Sequence, residues 1–241
     1  MPRIGNDWGA CDPGETRNRR TRASILVEHD GVRVLVDTSP DMRAQLLDAG
    51  VGTIDAIIWT HDHADHCFGI DDVRQIFHAL GRPVPGYARA ETLEGLQKRF
   101  GYVFSGRHGY PATVDAALLP DRVNVGSIAI RAVDQPHADI TSTGLRFEAA
   151  GRAIGYATDF NAMIPEMRAL YSDLDLWIVD ALRRRPHPSH PTLDQVLGWI
   201  RELNPRRSVL IHMDQSMDYR SLATTLPAGV EPGYDGAEYR L

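Results

Sequence analysis

Three histidines and two aspartates fall within six residues in the run His61-Asp62-His63-Ala64-Asp65-His66. Imidazole nitrogens and carboxylate oxygens are ligands for divalent metals such as Zn²⁺, Mn²⁺, Fe²⁺ and Ni²⁺. Packing accounts poorly for such a run, because each polar group, once buried, would need its own partner. The order His-x-His-x-Asp-His therefore offers His61, His63, Asp65 and His66 as metal ligands. The apolar segment before it, Asp55 to Thr60, reads as a short buried strand, and the segment from Gly69 to about Leu80 reads as a helix. Ligands at a strand end ride on a rigid element and still project into loop space that a substrate can reach.

Further donors lie downstream. His137 follows the strand expected at 128–133, Asp159 follows the one at 153–157, and His212 ends the one at 208–212. A lone histidine at a strand end is more often surface or core filler than a ligand. The opening cluster changes that balance. If these strand ends converge, His61, His63 and His137 would hold one metal, and Asp65, His66 and His212 a second, with Asp159 between them. Metals spaced by about 3.5–4 Å suit an in-line displacement. His29 lies in a hairpin turn, and His78 and His108 have no ligand spacing, so all three read as structural or solvated.

The set His61-Asp-His-Ala-Asp-His66, His137, Asp159 and His212 resembles the metallo-β-lactamase superfamily. That resemblance implies a four-layer αββα sandwich, two metals at one edge of its sheets, and hydrolysis. Asp159, rather than Cys or Ser, is similar to the hydrolases that keep both metals. Asp37, ending Leu35-Val-Asp-Thr38, matches the position that orients a ligand through a hydrogen bond. Arg19-Arg-Thr-Arg-Ala-Ser-Ile-Leu-Val27, Val36-Asp-Thr-Ser-Pro-Asp-Met-Arg43 and Leu176-Trp-Ile-Val-Asp-Ala-Leu182 narrow the branch. They resemble phosphoribosyl 1,2-cyclic phosphate phosphodiesterases of the PhnP type, which share a metal core with tRNA 3′-processing phosphodiesterases.

In that branch a histidine outside the ligand set lies between the bridging aspartate and the last ligand. His190 in Ser189-His-Pro-Thr-Leu193 fits, with His187 as its competitor. His190 stands nearer the helix start, where backbone N–H groups also favour phosphate. The resemblance thus implies a water activated by two Zn²⁺ or Mn²⁺ ions, Asp65 as ligand and proton acceptor, and His190 as general acid on a small cyclic phosphodiester. A tRNA-processing nuclease, a thioester or lactone hydrolase, and a non-catalytic nucleotide-binding module are the rival readings. Among the arginines at 17, 19, 20 and 22, Arg22 is the candidate for a substrate phosphate; a solvated basic loop explains the run about as well.

The chain also departs from the branch pattern. Where relatives often carry Cys-x-Cys-x-x-Cys and a later His for a structural zinc, this sequence has only Cys11, and Gln215 replaces the His; no structural zinc is expected. The strand and Gly/Ser-rich turn usual before Pro-x-Ile-Gly do not precede Met1-Pro-Arg-Ile-Gly5, so the first N-terminal strand is expected to be missing.

Elements must bring these residues together. Ala23–Glu28 and 32–37 flank a turn at His29-Asp-Gly31, a hairpin signal. Residues 40–49 have helical spacing and stop at Gly50. Further strands are expected at 84–87, 144–149 and 176–180, and helices at 91–100, 164–170 and 192–203. Residues 101–120 lack periodicity and read as a flap. Hairpins interleaved with crossover helices predict an α/β layered fold. No linker or repeat interrupts 241 residues, so one hydrolase domain over 1–241 is expected. The N-terminus lacks an apolar core of the secretory kind, and no run approaches the roughly 18 apolar residues that span a membrane. Two cysteines make no disulfide framework, which points to the cytoplasm. The net charge of −6 argues against a stable nucleic-acid partner. The substrate expected is a small phosphorylated ribose or nucleotide-like molecule, and the resemblance allows a homodimer.

Overall fold

The structure, a computed structural model, describes residues 2–241. The chain divides into two compact units, Arg22–Ala132, and Met1–Thr21 with Val133–Leu241. In the first unit, β1 (Ile25–His29) and β2 (Val32–Val36) form a hairpin. Its turn residues Asp30 and Gly31 both have positive φ, 49° and 76°, as a two-residue primed turn requires. Strands β3 (Ala56–Ile58), β4 (Val84–Ala88) and β5 (Val114–Leu118) then add in parallel, giving the order β1-β2-β3-β4-β5. Helices α1 (Met42–Asp48), α2 (Ala64–Cys67), α3 (Val73–Leu80) and α4 (Ala90–Ser105) connect them. Strand β3 is buried throughout, which its unbroken apolar sequence anticipates. Its Ile57 joins Leu35, Trp59, Ile70, Val73 and Leu96 in one core. Helix α3 ends at Gly81, which takes the left-handed cap with φ of 68°.

The second unit takes up the chain again at Val133, partway along the strand Ile128–His137. Strand β6 (Arg122–Val125) belongs to the first unit and pairs antiparallel with the opening residues of β7 (Ile128–His137). The sheet continues through β8 (Ile140–Ala149), β9 (Arg152–Ala157), β10 (Leu176–Asp180), β11 (Ser208–Ile211) and β12 (Val230–Pro232). Strands β9 to β12 are mutually parallel, and α5 (Pro165–Leu170), α6 (Leu193–Leu203) and α7 (Tyr219–Thr225) serve as crossovers. Helix α6 begins with a reciprocal capping box between Thr192 and Gln195. Its apolar face joins Phe160, Met167, Tyr171, Trp177 and Leu210 in a second core.

Three expectations need correction. The candidate ligands do not all project from a strand end into loop space: Ala64–Cys67 makes one turn of helix that carries Asp65 and His66. Residues 101–120 are not structureless, because α4 runs on to Ser105 and β5 occupies Val114–Leu118. The expected helix from Gly69 is broken, with a 3-10 turn at Ile70–Asp72 before α3. Strands β6 and β12 and helix α7 are short elements without a readable period. Among the described residues, the first strand is β1, at one edge of its sheet.

Candidate metal centre

In the Arg22–Ala132 unit, Asp37 follows β2, while Thr60 to His66 follow β3. Asp37 has a φ of 64°, a left-handed conformation uncommon for a residue other than glycine. The bend directs its fully buried carboxylate at the ligand run. Asp37 Oδ1 accepts from the Thr60 N–H at 2.7 Å. Its Oδ2 accepts from the Thr60 hydroxyl at 2.8 Å and from His66 Nδ1 at 2.7 Å. With its proton spent on Asp37, the Thr60 oxygen accepts from His61 Nδ1 at 3.0 Å. One carboxylate therefore fixes the tautomers of two histidines and leaves their Nε2 atoms as candidate donors to a metal. Burial pushes the Asp37 carboxyl upward, and the adjacent His66 and the Thr60 hydrogen bonds oppose that shift.

The rings of His61 and His63 lie 4.5 Å apart, and those of His61 and His66 4.4 Å apart. Asp65 Oδ2 stands 3.8 Å from His66 Nε2, so both can present donors to one ion. Arg22 lies 3.6 Å from the same Asp65 oxygen. Gly69 closes the segment: a Cβ there would overlap the Ser39 carbonyl, and the Gly69 N–H donates to Thr38 O at 2.9 Å. These contacts pin the ligand run against the loop that holds Asp37.

The Val133–Leu241 unit has a parallel construction. His137 is the last residue of β7, rather than lying beyond its end as expected. Asp159 and His212 follow β9 and β11 with φ values of 52° and 57°. The Asp159 oxygens face different histidines: Oδ1 is 3.8 Å from His137 Nε2, and Oδ2 is 3.5 Å from His212 Nε2. A carboxylate presented this way can bridge two ions. His137 Nδ1 donates to the Ser189 carbonyl at 2.9 Å, again reserving Nε2.

Asp180, the last residue of β10, was not singled out from sequence. It is fully buried and accepts from His190 Nδ1 at 2.7 Å and from the Asp159 N–H at 3.2 Å, both through Oδ2. Its other oxygen lies 4.0 Å from His212 Nδ1. The signal for it exists, since Leu176-Trp-Ile-Val-Asp180 repeats the pattern of Leu35-Val-Asp37, an apolar strand ending in aspartate.

His190 Nε2 stands 3.7 Å from Asp159 Oδ1. Asp159, His190 and His212 each offer a ligand atom within 4.8 Å of the others, so proximity alone does not exclude His190 as a ligand. His187 is differently placed: its Nδ1 accepts from the Ser189 N–H at 3.3 Å. Burial, then repulsion from His190 and Arg183, push the His187 imidazole down from its ordinary value, which disfavours it as an acid at neutral pH. In each unit the donors are imidazole Nε2 and carboxylate oxygen, with most rings held at the far nitrogen. That chemistry fits divalent metal ions.

A family model described as the beta-lactamase superfamily domain matches residues 32–213. The crystal structure of a new diphosphatase from the PhnP family superposes with a TM-score of 0.89 at 32% identity, covering 98% of this chain and 90% of that one. An octanoyltransferase of Porphyromonas gingivalis is 31% identical over 245 residues, 99% of this chain and 48% of that protein. A ribonuclease Z of Bradyrhizobium diazoefficiens is 28% identical over 143 residues, 55% of this chain and 46% of that protein. The chain spans about half the length of these curated relatives.

Proposed function

We propose that the chain, which belongs to the β-lactamase superfamily and has the metallo-β-lactamase fold, is a metal-dependent hydrolase, a phosphodiesterase that cleaves a small cyclic phosphodiester such as a phosphoribosyl cyclic phosphate. The side chains proposed to hold divalent ions are His61, His63, Asp65 and His66 in the one unit and His137, Asp159 and His212 in the other. Zn²⁺ and Mn²⁺ are the ions proposed. Bound there, the ions would lower the pKa of a water and offset charge on the phosphate oxygens. Asp65 takes the proton from the attacking water. Asp37 and Asp180 keep the imidazoles oriented. The residues 1–241 act as one hydrolase domain, in the cytoplasm, with neither a membrane nor a stable nucleic-acid partner. Among the described residues, no helix is long and apolar enough to cross a membrane.

The observation that carries the phosphodiester reading is the His190–Asp180 pair. An imidazole held at Nδ1 by a buried carboxylate presents its Nε2 in a fixed orientation and can protonate a departing ribose oxygen from there. An alkoxide leaving group needs that proton. The phosphate released from a diphosphate needs it far less. Diphosphate hydrolysis is the second reading, favoured by the relative named a diphosphatase. The octanoyltransferase name describes a protein of which this chain covers 48%, and acyl transfer is not carried over from it.

Metal-loaded protein is to be screened against cyclic ribose phosphates, 2′,3′-cyclic nucleotides, bis(p-nitrophenyl) phosphate and inorganic diphosphate. Metal-dependent turnover of a cyclic diester above diphosphate is the expected result. Protein holding two metals without diesterase activity would sink the proposal, and diphosphate as the preferred substrate would establish the second reading.

A further inference from the structure

Asp62 lies between two candidate ligands, His61 and His63, yet its carboxylate faces helix α4. Its Oδ2 accepts from Arg99 Nη2 at 2.6 Å, while its own carbonyl accepts from Arg99 Nη1. Both contacts are charge-assisted, and together they fix one residue at its backbone and its side chain. The Cys67 thiol donates to the same carbonyl at 3.3 Å. Gly95, one helical turn before Arg99, makes the approach close: a Cβ at that position would overlap Asp62 Oδ2.

The far end of the ligand run is gripped by the next residue of α4. Phe100 leaves helical geometry, with φ of −123° and ψ of 36°, directly after Arg99. Its ring meets Phe68 edge to face at 5.6 Å. Phe68 caps α2 and is 53% exposed, a large apolar side chain left half in solvent beside the ligand helix. Helix α4 therefore holds the segment 62–68 at both ends, and four candidate ligands lie within or next to that segment.

We infer that Arg99 is a positioning residue for the metal centre: by clamping Asp62 against Gly95 it sets the spacing of His61 and His63 before any ion binds. The inference rests on the metal-hydrolase reading above, but not on the identity of the substrate. A point charge cannot replace the fork, since lysine reaches the carboxylate or the carbonyl and not both.

The test is metal affinity, measured by competition with a chromogenic chelator, alongside the absorption spectrum of the Co²⁺-loaded protein. Arg99→Ala is expected to weaken metal binding by about 10–100-fold and to change the Co²⁺ spectrum. Arg99→Lys should recover part of the loss. Asp62→Asn keeps the shape of the partner, so the double variant with Arg99→Ala should lose less than the sum of the two. Thermal melting of the metal-free proteins separates positioning from folding, and their midpoints are expected to stay close. Unchanged affinity and spectrum in Arg99→Ala, or a loss matched by unfolding of the metal-free variant, overturns the inference. A wild type that binds two metals but hydrolyses no phosphodiester defeats the substrate proposal alone. A wild type that binds none defeats both.

Discussion

At the scale of single residues, each unit holds its candidate donors on a buried aspartate that is not itself a proposed ligand. Asp37 holds His61, through Thr60, and His66; Asp180 holds His190 and the backbone of Asp159. This division separates roles that mutation can distinguish. His190→Ala should lower turnover of a cyclic diester by about 10²–10⁴-fold, the usual worth of a general acid, while metal content by elemental analysis stays at the wild-type level. Asp159→Ala should lose metal. A fall in metal content for His190→Ala would instead make His190 a ligand. Asp180→Asn should also reduce turnover, because an amide in place of the carboxylate weakens the charge-assisted hold on His190 Nδ1. Most of these residues were legible because donors crowd into a short run or stand alone after apolar strands. Asp180 carries no such mark, because a single aspartate closing an apolar strand does not show in the sequence which side chains it will hold. Which atoms meet across a unit depends on backbone angles that composition does not record.

At the scale of elements, the recurrent device is a strand that ends in a left-handed residue. Asp37, Asp159 and His212 all turn there with φ between 52° and 64°. Such conformations cost about 1–3 kcal/mol each and persist where the surroundings over-determine them. The loop after β10 is closed differently. The Leu193 N–H donates to the Arg183 carbonyl at 3.0 Å, and Arg183 reaches the carbonyls of Arg185 and Pro186, so the stretch carrying His187 and His190 has a tied base. The capping box of α6 stands at that base. Thr192→Ala removes its hydroxyl acceptor and should destabilise the protein by about 1 kcal/mol. A lower urea midpoint with an unchanged slope would register that loss; an unchanged midpoint would mean the helix start is held by packing alone. Long periodic elements such as α6 and the β1–β2 hairpin were plain in the sequence. Helix α2 was not, because four residues leave no period to read, and its ligands look the same whether in loop or helix. The aromatic and glycine content of 101–120 hid the continuation of α4 past its break at Phe100.

At the scale of the whole molecule, the division into two compact units left no mark in composition. No Pro-, Gly- or Ser-rich stretch separates Ala132 from Val133, which lie within one strand. The α/β class was legible from alternating hairpins and crossover helices; the order of strands within each sheet was not, since it depends on long-range pairing. Charge is a property of the same scale, and it bears on the size of the substrate. The chain carries a net −6, and Lys98 is its only lysine. A nuclease gripping a folded RNA through 6–10 phosphates would lose about 10³–10⁵ in affinity between 50 and 200 mM salt. A small diester held mainly by metals and one or two side chains releases few counterions. We therefore expect kcat/KM for a cyclic ribose phosphate to change by less than about tenfold over that salt range, and unlabelled tRNA to compete poorly at either end of it. Steady-state kinetics at fixed metal concentration measure both. A steep salt dependence, together with cleavage of a tRNA precursor, would move the assignment to the RNA-processing branch while leaving the metal ligands as proposed.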